Sequence, residues 1–304
     1  MADEPKPAVP AGMATIADSF ATLWRSLAKD GEADRPNDER RILIDQVRDA
    51  LDRGENRLNE NRVSIISNTF SLEALVHRGE PTSVHRARHR DLGALHAIKT
   101  LSPDHADDPV AHKLLLQEAT IGLSLRHPHV AATQILLRLE DGRPALVMEW
   151  CRSSLADRLS NGPLPPEDIR ALAKALLEGL SAIHARSIVH CDISPANILF
   201  ADDTMDSLKI ADFGIALPTG HRHKDMDIRF AGQAHFAAPE QKDGGPVDPR
   251  TDLHAAGKVL SLLLEGSDDP ADADLRRLAD LLSQPASEDR PENAKAALRM
   301  LGGL

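Results

Sequence analysis

The sequence predicts an α+β fold in which a small sheet with one helix precedes a mainly helical half, with a helical extension at the N-terminus. Two observations support this prediction. Between residues 63 and 150, short runs of alternating apolar and polar residues are separated by turn signals, as expected of strands. After Pro165, apolar residues recur at helical spacing over longer segments. With 304 residues, the chain is long enough to bury a full core.

The composition predicts a cytoplasmic protein that binds neither nucleic acid nor a membrane. Its formal net charge is -11, which repels polyanions and anionic lipids. Two cysteines, Cys151 and Cys191, are too few for a secreted disulfide framework, and the sequence does not open with a basic and then apolar signal segment. The longest apolar runs, such as Leu260 to Leu264, are far shorter than the roughly 20 residues of a membrane span.

The N-terminal part of the chain divides into a disordered lead and a helical extension. Residues 1–12 are rich in Pro, Ala and charge without an apolar period, so we expect them to be disordered. The extension covers residues 13–62, and its first helix has one apolar stripe, made of Ile16, Phe20, Leu23, Trp24 and Leu27. A second helix is predicted from Asn37, with an apolar face made of Leu43, Val47 and Leu51. Two interpretations stay open: packing on the following domain, or binding of a regulatory partner.

The elements after residue 62 are predicted in order from their periodicity. Five strands are expected, at residues 70–76, 83–89, 94–100, 130–139 and 145–150. One helix, at residues 108–125, separates the third strand from the fourth. A long helix is then predicted at residues 169–185, short strands and loops at 188–241, and further helices up to the C-terminus.

Three ordered motifs carry the chemistry of the helical half. They read HCDISPANIL at residues 190–199, DFG at residues 212–214 and APE at residues 238–240. In this order they resemble the catalytic loop, the magnesium-binding triplet and the end of the activation segment of eukaryotic-like Ser/Thr protein kinases. Ser194 is similar to a variant seen in bacterial members of that family.

The resemblance implies a bilobal protein-kinase-like fold for residues 63–304, with an N-lobe over about 63–150 and a C-lobe over about 151–304. It also implies ATP and Mg²⁺ as cofactors and a protein substrate. Asp192 would orient the attacking Ser or Thr hydroxyl, and Asn197 and Asp212 would bind the metal. Carboxylate and amide oxygens suit Mg²⁺, which prefers hard oxygen ligands.

The upstream half resembles the family at the residues that hold the phosphates. HAIK at residues 96–99 is similar to the strand whose lysine binds the α- and β-phosphates, and Glu118 would pair with Lys99. A lysine on an otherwise apolar strand is costly unless it is paired, which favours a site over a structural role.

The resemblance also implies a set of nucleotide-binding residues. They are Val76, Gly79, Val84, Ala97, Lys99, Glu149, Cys151 and Leu199, with residues 149–151 as the hinge. The phosphate-covering loop departs from the family, because only Gly79 remains of three glycines and Glu80 adds negative charge. We therefore expect weakened nucleotide affinity.

The C-terminal matches indicate a complete C-lobe. Asp252 and Gly257 resemble the start of its central helix, and Arg290 resembles the arginine that pairs with the glutamate of the APE motif, here Glu240. Only about thirty residues separate Gly257 from Arg290. We expect the helix that many relatives use to dock protein substrates to be short or absent.

Regulation is predicted from residues that the family pattern lacks here. Cys191 stands where many kinases have an arginine that binds a phosphate on the activation segment. Thr219 is the one hydroxyl residue between Gly214 and Glu240. The sequence therefore predicts a segment that phosphorylation does not switch. Gln233 and Ser194 also depart from the family pattern, at positions expected to face the substrate.

Three functions are compatible with these residues. The leading prediction is a Ser/Thr protein kinase, because Lys99, Glu118, Asp192, Asn197 and Asp212 are all present. A pseudokinase that acts as a nucleotide-binding scaffold is the alternative that the weakened loop favours. A small-molecule kinase of related fold is disfavoured by the APE motif and Arg290.

Overall fold

The computed structural model describes residues 13–31, 33–36, 39–40, 43–44, 46–47, 50, 65–66, 69–139, 141–226, 233–266, 269 and 272–302. The chain divides into two compact units, residues 1–62 with 140–142 and residues 63–139 with 143–304. In the first unit, helix α1 spans Met13–Ala28, which confirms the first predicted helix. Strands β1 (Lys29–Asp30) and β2 (Ala33–Asp34) follow it as a short antiparallel hairpin.

The second predicted helix lies largely outside the described residues. Those that are described between residues 39 and 50 are helical, but Asn37 and Leu51 belong to the part that is not described. The same holds for the predicted disorder of residues 1–12. The regulatory-partner interpretation of residues 13–62 stays a prediction.

The second unit begins with a six-stranded antiparallel sheet, so the prediction of five strands was wrong. Its strands are β3 (Ile65–Ile66), β4 (Phe70–Arg78), β5 (Thr82–His89), β6 (Leu95–Leu101), β7 (Thr133–Arg138) and β8 (Pro144–Glu149). Their order is β3-β4-β5-β6-β8-β7. The extra strand is a two-residue edge, too short to show the period-two alternation by which the others were predicted.

One helix packs on this sheet, as predicted. Helix α2 spans Pro109–Ser124, and Asp108 caps it by accepting hydrogen bonds from the backbone of Val110 and Ala111. Its buried residues, which include Leu115 and Ala119, pack against Leu101 and Leu146 of the sheet. This packing directs one face of α2 at β6, which is the geometry that a pairing between the two elements needs.

The rest of the unit is mainly helical. Its helices are α3 (Leu155–Ser160), α4 (Pro166–His184), α5 (Pro239–Lys242), α6 (Pro249–Leu263), α7 (Ala273–Leu282) and α8 (Ala294–Gly302). Short strands lie between them: β9 (Ser153–Ser154), β10 (Ile188–Val189), β11 (Ile198–Phe200), β12 (Leu208–Ile210) and β13 (Leu217–Pro218). The largest apolar core joins α4, α6, α7 and α8 to β11 and β12. Together the sheet half and the helical half form the α+β, bilobal arrangement that the sequence predicts.

The stretch that many relatives use for docking is short here. Between the end of α6 at Leu263 and Arg290, the described residues contain one α-helix, α7, as expected of a shortened docking region. None of the helices in the described part of the chain combines the length and apolar composition that a bilayer crossing needs.

Candidate active site

An ion cluster joins three separate segments, two in the sheet half of the second unit and one in its helical half. The Lys99 ammonium on β6 lies 2.9 Å from Oε2 and 3.0 Å from Oε1 of Glu118 on α2, and 2.8 Å from Oδ1 of Asp212. Only 7% of the Lys99 side chain is exposed, whereas 42% of that of Asp212 is. Lys99 and Asp212, which are 113 positions apart in sequence, therefore meet directly. We call Lys99, Glu118 and Asp212 the cleft cluster.

The two carboxylates of the cleft cluster differ electrostatically. Burial lowers the pKa of Lys99, but the carboxylates of Asp212 and Glu118 outweigh burial, so its pKa is raised above the usual value. Burial raises the pKa of Glu118 to about 7, and the nearby ammonium opposes only part of that rise. Burial also raises the pKa of Asp212, but Lys99 and the Gly214 N–H outweigh it, so the net pKa is lowered. Asp212 therefore holds its negative charge more firmly than Glu118 does.

The backbone around Asp212 is strained into position. Asp212 has a φ of 69°, a left-handed conformation that a non-glycine residue adopts at a cost. The Gly214 N–H donates to Asp212 Oδ1 at 3.0 Å, and a Cβ on Gly214 would lie 3.0 Å from the same oxygen. Phe213 is buried with its ring centroid 5.0 Å from that of His190. Each residue of the DFG triplet thus has a packing or backbone reason for its type.

Asp192 is oriented by its neighbours in the catalytic loop. Asn197 Nδ2 donates to Asp192 Oδ2 at 2.7 Å and to its carbonyl oxygen at 2.8 Å. The Gln233 N–H donates to Asp192 Oδ1 at 3.1 Å. Burial raises the pKa of Asp192, while His190 and these hydrogen bonds oppose the rise. A carboxylate held at both oxygens is placed to orient an incoming hydroxyl.

Asp252 of α6 anchors the backbone of the catalytic loop. Its carboxylate accepts hydrogen bonds from the backbone N–H groups of His190 and Cys191, each at 2.8 Å, and lies 2.9 Å from His184 Nε2. Cys191 has a φ of 68°, so these bonds also hold a strained backbone. Sequence reasoning placed Asp252 at the start of a helix and missed this anchoring role.

Two of the expected nucleotide-binding residues, Val84 and Ala97, share a face of the sheet with Lys99. Val84 is directly opposite Lys99 in the sheet, and Ala97 lies two residues before Lys99, so all three share one face. Leu199 is on β11, and Gly79 follows β4. Val76 lies in a bulge of β4 and is 54% exposed.

At the predicted hinge, the Glu149 side chain contacts other protein groups. Glu149 Oε1 pairs with Lys209 Nζ at 3.0 Å, and Oε2 accepts the Ala132 N–H at 3.1 Å. Its carboxylate is thus engaged by protein groups. Burial raises the pKa of Cys151 to about 12, which keeps it a neutral thiol. Sequence reasoning missed the pairing with Lys209, because strand periodicity does not identify partners on another sheet.

The residues expected to hold Mg²⁺ fit a hard cation. Asn197 uses its amide nitrogen for Asp192, which directs its amide oxygen elsewhere, and Asp212 has a partly exposed, ionised carboxylate. Ala211 N–H donates to the Asn197 carbonyl at 3.0 Å and so ties the two segments together. Mg²⁺ is usually bound by one or two such protein oxygens together with substrate phosphates and waters.

A second ion pair lies in the helical half. Arg290 forms a bidentate pair with Glu240, with distances of 2.7 Å and 3.0 Å. Its remaining donors bind the carbonyl oxygens of Gln284, Arg250 and Pro285. The predicted pair is thus formed, and all five donors of Arg290 are satisfied.

The position of Cys191 is apolar. Cys191 packs with Val189, Leu217, Val247 and partly buried Ile215, and it is 4% exposed. Thr219 is exposed and donates its N–H to the Ser187 carbonyl at 2.9 Å. A phosphate placed among these apolar side chains would lose its hydration without gaining a cation.

The comparisons with known proteins agree with this geometry. The family described as protein kinase domain matches residues 70–282. Serine/threonine-protein kinase PrkC of Bacillus subtilis is 32% identical over 203 residues, which cover 66% of this chain and 31% of that protein. A probable serine/threonine-protein kinase of Streptomyces coelicolor is 34% identical over 204 residues, 64% of this chain and 30% of that protein. PknB of Mycobacterium leprae is 30% identical over 211 residues, 66% of this chain and 33% of that protein. The match spans about a third of the length of these three relatives.

Proposed function

Because the chain belongs to the eukaryotic-like, bacterial-type family of serine/threonine protein kinases, we propose that it transfers the γ-phosphate of ATP to Ser or Thr hydroxyls of protein substrates. One observation carries this proposal: Lys99 Nζ lies within 3.0 Å of oxygens from both Glu118 and Asp212. A degraded scaffold has no need to keep a buried ammonium between two carboxylates. Such an arrangement is costly without a ligand-binding role.

Each residue supplies part of what phosphoryl transfer requires. The transition state is loose and spreads charge over peripheral oxygens, so positioning and compensating charge are the main contributions of the protein. Lys99 would bind the α- and β-phosphates, with Glu118 fixing the direction of its ammonium. Asp192 would orient the acceptor hydroxyl, since Asn197 and Gln233 already fix its carboxylate.

Magnesium would be held by Asn197 and Asp212. When bound, the ion neutralises charge on the β- and γ-phosphates. The ionised state of Asp212, maintained by Lys99, supports this assignment. Because the rest of the coordination shell comes from phosphates and waters, metal binding should depend on the nucleotide.

The test is transfer of label from γ-³²P-ATP with Mg²⁺ and a generic basic protein as acceptor. We expect Lys99→Met and Asp192→Asn to lose at least about 99% of the activity, as when one transition-state contact is removed. The matched controls are Lys174→Met and Asp104→Asn, which make the same chemical changes at exposed positions. Equal label in the wild type and both site variants would contradict the proposal and favour a scaffold.

We also propose that phosphorylation of the activation segment does not switch the enzyme. The apolar surroundings of Cys191 and the single hydroxyl of Thr219 support this. Thr219→Ala should keep activity within about twofold of the wild type, and phosphatase treatment should leave the wild type unchanged. Loss of activity in Thr219→Ala together with rescue by Thr219→Glu would show that the segment is switched after all.

A further inference from the structure

Gln233, at the end of the activation segment, uses its backbone and its side chain to join three places. Its N–H donates to Asp192 Oδ1 at 3.1 Å, and its Nε2 donates to Ser194 Oγ at 2.9 Å. Its carbonyl accepts the N–H groups of Phe236 and Ala237, each at 3.0 Å. One residue therefore connects the proposed catalytic carboxylate, the catalytic loop and the turn that leads into α5.

Both ends of this connection are rigid. Ser194 is fully buried, and its carbonyl accepts the N–H groups of Asn197 at 3.0 Å and Ile198 at 3.2 Å. At the other end, buried His254 of α6 contacts the Phe236 carbonyl at 3.3 Å. Gln233 is thus held by Ser194 at its side chain and by Phe236 at its backbone. The contact between the Gln233 amide and Ser194 therefore sets the direction of the Gln233 backbone N–H.

We propose that Gln233 is a positioning residue, whose amide–hydroxyl contact with Ser194 holds the end of the activation segment against Asp192 and so orients the Asp192 carboxylate. The inference rests on the proposed kinase activity and names how the segment is held. The Gln233 amide and the Ser194 hydroxyl are both neutral, so the contact forms without a phosphate and depends little on salt. This contact explains how the activation segment, whose single hydroxyl residue is Thr219, can be held against the catalytic loop without a phosphate.

The kinetic test compares Gln233→Ala, Ser194→Ala and the double variant. Gln233→Ala keeps the backbone N–H but removes the Nε2 donor, and Ser194→Ala removes its acceptor. We expect each single variant to lose about 10- to 100-fold in kcat with a KM for ATP within about twofold of the wild type, because orientation is lost and nucleotide contacts are not. The double variant should lose no more than the worse single variant, because both changes break one contact.

The split between kcat and KM separates positioning from a merely structural role. Loosening the Gln233 N–H removes one of the donors that hold the Asp192 carboxylate, so kcat should fall while the KM for ATP stays near the wild-type value. Partial unfolding would instead impair nucleotide binding together with kcat.

The control is Gln284→Ala, a partly exposed glutamine two residues after the end of α7 that should leave kcat unchanged. Melting temperature and binding of a non-hydrolysable ATP analogue show whether the variants are folded. If folded Gln233→Ala keeps the wild-type kcat, or if the losses of the two single variants add, the inference is wrong while the kinase activity stands. If the wild type transfers no label, the proposed function itself has failed.

Discussion

The cleft cluster and the pair between Arg290 and Glu240 are both buried ion pairs, yet they are built differently. Lys99 shares one ammonium between two carboxylates, and one of them, Asp212, is 42% exposed to the cleft. Arg290 has a side chain with no exposure, and all five of its donors bind protein oxygens. The first cluster has an excess of negative charge next to open space, and the second is closed.

The pKa directions show the consequence of this difference. Burial raises the pKa of Glu118 to about 7, so the cleft cluster is imperfectly compensated. Burial also raises the pKa of Glu240, but the Arg290 hydrogen bonds outweigh it and the net pKa is lowered. A cluster whose negative charge is not fully compensated is suited to bind further cations together with a ligand, whereas a fully paired cluster stabilises the fold.

The largest expected effect tests the closed pair. Arg290→Met should reduce the free energy of unfolding by about 3 to 5 kcal/mol. It removes the charged partner of the Glu240 carboxylate, which retains the Thr251 hydroxyl as a donor, and it leaves three carbonyl groups without the Arg290 donors. Urea unfolding followed by circular dichroism measures this change. Arg299→Met, at an exposed position of α8, is the matched control. A change below about 1 kcal/mol in Arg290→Met would show that the pair is not structural.

The second effect tests the cleft cluster. Lys99→Met should reduce kcat/KM by about 10²- to 10³-fold, since a cation aimed at the phosphates is removed. Its cost to the free energy of unfolding at pH 6 should be smaller than that of Arg290→Met, because Glu118 can take up a proton when its partner is lost. Label transfer and urea unfolding on the same preparation give both numbers. If Lys99→Met and Arg290→Met reduced the free energy of unfolding equally, the proposed difference between the cleft cluster and the closed pair would be wrong.

The contacts that could be predicted from the sequence are those between residues that stand in recognisable motifs. Lys99 and Asp212 were predicted as phosphate-binding and metal-binding residues because each stands in a motif, and they meet although they are 113 positions apart. The pairing of Arg290 with Glu240 was predicted on the same ground. Strand β3 and the contact of Gln233 with Ser194 were not predicted. A two-residue strand shows no period, and a contact between residues that depart from the family pattern has no motif to reveal it.

The third effect concerns His254, which lies beside the closed pair. Burial and the nearby Arg290 charge lower the pKa of His254 to about 4 from the usual 6.5. Between these values the unfolded chain binds a proton that the folded chain does not. The stability present above pH 6.5 is therefore lost as the pH falls towards 4, by up to about 1.4 kcal/mol per pH unit.

Urea unfolding at several pH values between 4 and 7 measures this dependence. His254→Asn should flatten the slope, because the variant lacks the titrating group. His221→Asn, at an exposed position, should keep the wild-type slope. An unchanged slope in His254→Asn would mean that the folded protein binds the proton as readily as the unfolded chain.

The smallest effect is expected at a third pair, whose cation is more exposed than Lys99 or Arg290. Lys209 on β12 is 16% exposed and Glu149 at the end of β8 is 26% exposed, with 3.0 Å between them. The pair joins the strand before the hinge to the small sheet of the helical half. Because both side chains are partly exposed to water, loss of the pair should cost only about 1 kcal/mol.

Lys209→Met should therefore raise the KM for ATP by up to about fivefold and leave kcat nearly unchanged, since the hinge shifts while the cleft cluster stays intact. Steady-state kinetics at low and high salt measure this change, and it should shrink as salt increases. Glu149→Gln should give a similar shift, and the double variant no more than either. If kcat falls instead, the pair acts on the reacting groups, and exposure alone does not rank the three pairs.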